Sequence, residues 1–183
     1  MKSKSVFGSA LAVAMACAIA LPLSARASDG TIGFVGQLTG TTCSVAVNGT
    51  GANATISLPG ISASQLATAT QTAGATPFQM QLTQCSSGGN VQAFFEDGQS
   101  VDHSTYNLIN AAAAGAAMNV QVQLYSANGA IQIGNPNQLG PTQYYQPIAS
   151  GSATLSYGAQ YYSLGAASAG TVSSTVTYSI NYL

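Results

Sequence analysis

The side chains that could do chemistry are few, and most fall in one short stretch. His103 is the only histidine, and Asp97, Ser100, Asp102 and Ser104 lie close to it in sequence. A hydroxyl nucleophile, an imidazole base and an orienting carboxylate can be drawn from this group. Such chemistry needs the three groups held at hydrogen-bonding distance. Here they share one polar loop, where side chains are solvated, and no nucleophile-elbow glycine pattern accompanies them. The chain shows no phosphate-binding glycine loop and no cluster of metal-ligating residues. The expectation is a protein that is not an enzyme, with no catalytic residue, cofactor or metal.

The cysteines carry a different chemistry. There are three: Cys17, Cys43 and Cys85. Cys17 lies in an N-terminal segment with the marks of a secretory signal. Lys2 and Lys4 form a positive start, Val6 to Leu21 is apolar, Pro22 breaks the run, and Ala25-Arg26-Ala27 offers the small-x-small pattern of signal cleavage. The run is too short and weakly flanked for a membrane span. A lipoprotein signal with Cys17 as the lipidated residue is disfavoured, because Ala14-Met15-Ala16 lacks the large aliphatic residue usual at its first position. Residues 1–27 therefore read as a cleaved signal peptide. Cys43 and Cys85 remain, and an even count in an exported chain reads as a disulfide. The weaker alternative is two free thiols or half a metal site.

Charge narrows the partners. Charged residues make up 4% of the chain, and all three basic ones (Lys2, Lys4, Arg26) precede Ser28. From Ser28 onward there are only Asp29, Glu96, Asp97 and Asp102. Without a cation the chain is no ligand for nucleic acid or anionic lipid, since phosphate recognition works by Lys and Arg displacing counterions. A surface of Ser, Thr, Gln, Asn and Gly suits a subunit packed against copies of itself, or a secreted protein that uses neutral polar residues.

The elements that would position these groups are strands. Cys43, Val45 and Val47 alternate; Ile56 and Leu58 lead into Pro59-Gly60; Phe78, Met80 and Leu82 alternate before Cys85. Val91 to Phe95 is a short apolar run. Met118, Val120, Val122 and Leu124 alternate with Asn119, Gln121 and Gln123, and Leu155, Tyr157, Ala159 and Tyr161 form a further set. Gln65 to Ala75 reads as a loop with at most one helical turn, Ala111 to Ala117 as a connector, and Ile133 to Pro147 as a long surface loop. Period-2 patterning throughout, turn punctuation and one disulfide predict a single all-β domain of immunoglobulin-like sandwich type, without the buried Trp of antibody domains.

The two ends are unusual, because chain ends are ordinarily polar and frayed. Val172, Val176, Tyr178, Ile180 and Tyr182 form one face of a segment that alternates almost to the last residue. At the other end, Ile32, Phe34, Gly36 and Leu38 share a face between Gly30 and Gly40. An exposed apolar strand invites aggregation. That N-terminal segment either folds onto its own domain or inserts into another copy.

These residues closely resemble the chaperone–usher (type 1 fimbrial) pilin family, over nearly all of the chain after the signal. Gly30-Thr31-Ile32-Gly33-Phe34-Val35-Gly36-Gln37-Leu38 is similar to the family's N-terminal extension. Thr42-Cys43-Ser44-Val45 and Phe78 to Leu82 before Cys85 match its disulfide frame, and Ile56-Ser57-Leu58-Pro59 is similar to its second strand. Asn119-Val120-Gln121-Val122-Gln123-Leu124 and Leu155-Ser156-Tyr157-Gly158-Ala159-Gln160-Tyr161 resemble two inner strands. Gly170, fourteenth from the C-terminus, and the penultimate Tyr182 match the pair that marks the family's C-terminal strand. Residues 133–147 match nothing in that pattern.

The resemblance implies an incomplete immunoglobulin-like β-sandwich, lacking its last strand and completed by a donor strand from another subunit. Chaperone–pilin donor-strand complementation is a known form of β-augmentation. By resemblance, residues 28–41 are the donor extension and 42–183 the pilin domain. Ile32, Phe34 and Leu38 would be the anchors, and Gly36 would sit where the groove is tight. Gly170, Val172, Val176, Tyr178, Ile180 and Tyr182 would belong to the receiving strand, within 171–182, which also faces the chaperone and usher. The implied partners are other copies or related pilins, a periplasmic chaperone and an outer-membrane usher, with no membrane insertion. The implied destination is the cell-surface fimbrium, reached through the periplasm, in support of cell adhesion. The alternatives are a minor adaptor or tip-proximal pilin, and a secreted β-sandwich binding protein. A tip adhesin would need a further lectin domain. Asn48-Gly49-Thr50 and Asn53-Ala54-Thr55 fit the N-glycosylation pattern by chance in a bacterial protein.

Overall fold

The computed structural model describes Gly33, Gly40 and residues 42–141 and 144–183. Residues 1–27, read above as a signal peptide, and the four residues Ile32, Phe34, Gly36 and Leu38 lie outside the described residues. The described residues from Thr42 on form one compact unit.

Ten strands follow in order: β1 (Ser44–Val47), β2 (Thr72–Thr83), β3 (Asn90–Phe95), β4 (Val101–Asp102), β5 (Asn107–Ile109), β6 (Val120–Ser126), β7 (Gly129–Ala130), β8 (Gln146–Pro147), β9 (Ala153–Ser163) and β10 (Tyr178–Tyr182). Two short 3-10 helices, Ala63–Leu66 and Pro136–Leu139, complete the regular structure. Every strand pair is antiparallel. A seven-stranded sheet runs β1-β2-β9-β6-β5-β4, with β7 paired to β6, and a three-stranded sheet runs β10-β3-β8. Among the described residues no helix is long and apolar enough to cross a membrane.

The alternation explains how the sheets meet. In β2 and β9, Phe78, Met80, Leu82, Leu155 and Tyr157 fall on one face and are buried. They pack against Val91, Ala93 and Phe95 of β3 in one apolar cluster. Tyr157 locks the two layers together. Its ring meets Phe95 edge-on at 5.2 Å, and its hydroxyl accepts the Ala93 amide across the sandwich at 3.1 Å. Burying a large apolar side chain stabilises by roughly 1.5–3 kcal/mol, so these two facing rows supply a large share of the driving force.

Cys43 and Cys85 form a disulfide beside β1, closing a separation of 42 residues. On a chain-entropy view a loop of that size stabilises by about 4 kcal/mol. It ties the start of β1 to the end of β2, whose register is Ser44↔Thr83 through Val47↔Met80. Pro77, which has no amide hydrogen, lies beyond that pairing, where β2 has only β9 beside it.

Three sequence expectations change. The segment 65–75 is not a loop throughout: one 3-10 turn ends at Leu66, and β2 begins at Thr72. Its start is bulged between Ala73 and Thr76, where Gly74 takes φ +69° and a Cβ would press on the Tyr161 ring. Met118 keeps the phase of β6 but precedes it and is 67% exposed, because the chain at Met118 and Asn119 bonds to Ser168 and Leu164 instead of a strand. Residues 133–147 do not all lie on the surface: Ile133 is fully buried, its amide bonded to the Tyr106 carbonyl.

Candidate strand-acceptor cleft

The segment leading to β10 departs from a simple strand. Residues 172–182 extend as the alternation requires, with Val172, Val176, Tyr178, Ile180 and Tyr182 half-buried and Ser173, Thr175, Thr177 and Ser179 exposed. A continuous ladder holds only Tyr178–Tyr182, which pair with β3 from Phe95 to Val91. Above Tyr178 the backbone is held at points on one side. Glu96 N–H donates to the Thr177 carbonyl, Ala111 N–H to the Ser173 carbonyl, and Asn110 Oδ1 accepts the Ser173 amide.

Facing this segment is the stretch 52–58. Ile56 and Leu58 pack against the core, as their alternation demands. Among the described residues no backbone hydrogen bond is made by residues 53–58. A cleft of about 570 Å3 runs between the two segments, with Val172, Val176 and Tyr178 on one wall and Ile56 and Leu58 on the other. Its floor is the core itself: Phe78, Met80, Phe95, Leu108, Val122 and Leu124. Tyr178 closes one end by donating its hydroxyl across the cleft to the Ala52 carbonyl at 2.8 Å. Tyr161, also on the lining, donates to the Pro59 carbonyl at 3.2 Å. Burial pushes the phenols of Tyr178 and Tyr161 upward, which keeps both as neutral donors.

The arrangement presents two extended backbones with unpaired groups over an apolar floor. Unpaired backbone edges flanking an apolar cleft carry one requirement, namely another strand. A strand laid along the cleft would pair with either wall and bury alternate side chains on the floor.

Gly170 stands at the head of the segment. A Cβ there would lie 2.6 Å from the Gly115 carbonyl oxygen and closer still to the Ala117 amide nitrogen. That approach lets Thr171 exchange hydrogen bonds with Gly115 and Ala117. Tyr182, at the foot, accepts the Cys43 amide on its hydroxyl at 3.2 Å. Ile180 and Tyr182 share the face of Val176 but lie below the cleft and do not line it. The opposite wall, Asn53 to Ser57, was not singled out as a site from sequence, since the pattern of Ile56 and Leu58 shows a strand but not that it goes unpaired.

The imagined catalytic group does not assemble. His103 Nε2 lies 3.8 Å from Asp97 Oδ1, with the side chains 70% and 56% exposed. Ser104 donates both its hydroxyl and its amide to Asp102 Oδ1.

Comparison with known proteins agrees with this geometry. A family described as "Type-1 fimbrial protein, A" matches residues 58–183. The chain is 43% identical over 167 residues to the major fimbrial subunit SMF-1 of Stenotrophomonas maltophilia, covering 89% of this chain and 98% of that one. It is 42% identical over 165 residues to the F17 fimbrial protein of Escherichia coli, covering 85% and 88%. In fold it is similar to a subunit chain of a chaperone–usher pilus, with TM-score 0.59 and 17% identity over 85% of this chain and 96% of that one. With its incomplete sandwich and 126-residue match, the chain belongs to the type-1 fimbrial protein family and is a fimbrial subunit.

Proposed function

We propose that this chain is a major-type structural subunit of a surface fimbria, and that its cleft receives a β-strand lent by another subunit. The observation that carries the reading is the pair of extended segments, 53–58 and 172–177, with unpaired backbone over an apolar floor. The donor is the extension 28–41, which follows the signal peptide 1–27 and precedes the domain 42–183. Ile32, Phe34 and Leu38 enter the cleft, and Gly36 passes where it is tight. Each anchor buried contributes about 1.5–3 kcal/mol, with backbone hydrogen bonds in addition. One end donates and the other receives, so addition is head to tail, which gives a filament and not a closed ring. Before assembly a periplasmic chaperone covers the cleft, and the outer-membrane usher is where the exchange occurs. The similarity to SMF-1, a major fimbrial subunit of S. maltophilia, supports the major-subunit rank. The reading includes no catalysis; the exposure of His103 and Asp97 supports that, because neither is held for proton transfer.

The test is to express the chain with and without 28–40. The shortened form should not polymerise, and a synthetic peptide of residues 30–40 added to it should raise its melting temperature. Polymers of the shortened form, or a stable monomer of the full form without a chaperone, would refute the proposal. Gly36→Leu should block subunit addition and leave the unfolding midpoint of the domain unchanged.

A further inference from the structure

Just before β1 the backbone is held by one side chain from outside it. Ser86, which follows Cys85 at the end of β2, puts three hydrogen bonds on residues 40 and 42. Its hydroxyl donates to the Gly40 carbonyl at 2.7 Å and accepts the Thr42 amide at 3.1 Å. Its own amide donates to the Thr42 carbonyl at 3.1 Å. One hydroxyl therefore grips the backbone on both sides of Thr41. The next residue is held from the three-stranded sheet, where the Tyr182 hydroxyl accepts the Cys43 amide. Ser86 is itself fixed, because the Cys43–Cys85 disulfide lies beside it and the Cys85 amide donates to the Gly151 carbonyl at 3.0 Å.

The packing of the domain does not require this grip. Gly40, Thr42 and Ser86 are all exposed, so water would serve each of these groups. Backbone at the edge of a domain ordinarily frays. What the bonds add is a set direction for the chain that precedes them, and that chain is the extension 28–41.

We propose that Ser86 is a positioning residue for strand donation, its hydroxyl fixing residues 40–42 so that the extension leaves the domain in one direction before it meets a cleft. This rests on the donor reading given above. The physical basis is preorganisation. Backbone left free at 40–42 has to be ordered when the donating and receiving bodies come together, and the lost entropy opposes the exchange. Ser86 orders it in advance. Ser86 does not line the cleft, so it acts on donating a strand and not on receiving one.

The test makes two donors compete for the same clefts. Freshly refolded full chain is mixed with a fluorescent peptide of residues 30–40 and resolved by gel filtration. Polymer growth reports donation, and captured fluorescence reports the receiving cleft. Ser86→Ala removes the hydroxyl and keeps the amide. It should capture peptide at the wild-type rate. Its ratio of chain-filled to peptide-filled clefts should fall by about five- to thirtyfold, the factor set by the backbone entropy of one freed residue. Ser86→Thr keeps the hydroxyl and should hold the wild-type ratio; Ser86→Val has the shape of Thr without it and should not. Should Ser86→Ala fail to capture peptide, the Thr and Val variants carry the same comparison. Equal ratios in wild type and Ser86→Ala, or in Ser86→Thr and Ser86→Val, overturn the role of Ser86 and leave the donor reading standing. Wild type that neither captures peptide nor grows polymers overturns the donor reading, and the role of Ser86 with it.

Discussion

At the scale of single residues, the tightest constraint is Gly170. A methyl group there meets the backbone of residues 115–117, not the end of a flexible side chain. The chain has to shift, and the exchange of hydrogen bonds between Thr171 and residues 115 and 117 goes with it. Gly170→Ala should therefore destabilise the full chain by about 1–3 kcal/mol, read as a lower urea midpoint. Gly60→Ala is the control, because nothing lies within 4 Å of its Cβ position, and it should stay within about 0.5 kcal/mol. Asp102 gives a pH dependence. The Ser104 hydroxyl, then the Ser104 amide and the Gln121 carboxamide, hold its carboxyl below the usual carboxylate range. A lowered folded-state pKa means the stabilisation is present above the unfolded value and is lost as pH falls through the folded one. Acidification from pH 5 to about pH 2 should thus lower the melting temperature of wild type more than that of Asp102→Asn. Equal losses would remove Asp102 from the account.

Among the elements, β3 shows how an edge is managed without a strand. β8 pairs with it only at Asn90 and Val91. Further along, the Tyr157 hydroxyl takes the Ala93 amide, and the Gln138 carboxamide accepts from Phe95 N–H and donates to its carbonyl at 2.8 and 2.9 Å. One side chain thus supplies both halves of a strand pairing and blunts an edge that would otherwise template aggregation. Gln138→Leu leaves the Phe95 amide unpaired and should cost about 1–3 kcal/mol, with a larger insoluble fraction on warming; unchanged solubility and stability would show the edge needs no cover. None of this was legible in the sequence, where 133–147 is only a polar stretch rich in Asn, Gln and Pro. The strands β2, β6 and β9 were legible, because their apolar residues keep strict period and are buried. Ile180 and Tyr182 were rightly placed on one face with Val176, yet only Val172, Val176 and Tyr178 line the cleft. Periodicity assigns a face but not where along a strand pairing stops. Met118 fails for a related reason: its phase is correct, but the partner strand has already ended.

For the whole molecule, the distribution of charge decides what can hold an assembly together. From Ser28 on there is no Lys or Arg, and Asp29, Glu96, Asp97 and Asp102 are the only acids. The one ion pair among the described residues, His103 with Asp97, is exposed and needs a protonated imidazole; such pairs are worth at most about 1 kcal/mol. Cohesion must then come from apolar burial and neutral hydrogen bonds, which salt does not screen. The urea midpoint of the assembled fimbria at pH 7.4 should stay flat between about 10 and 300 mM sodium chloride. A steep fall with salt would mean that charges carry the contacts between subunits. The same composition separates two kinds of protease resistance. Trypsin finds no site after Arg26, so even a reduced chain in urea, starting from Ser28, should remain whole. Its survival reports sequence, not folding. Chymotrypsin has many tyrosines and phenylalanines to cut, most of them in strands, so its rate follows the opening of the fold. Filling the cleft should slow chymotrypsin on the form lacking 28–40 when the peptide 30–40 is added, and leave the trypsin pattern as it was. A chymotrypsin rate indifferent to the peptide would show that the cleft is not where the fold is completed.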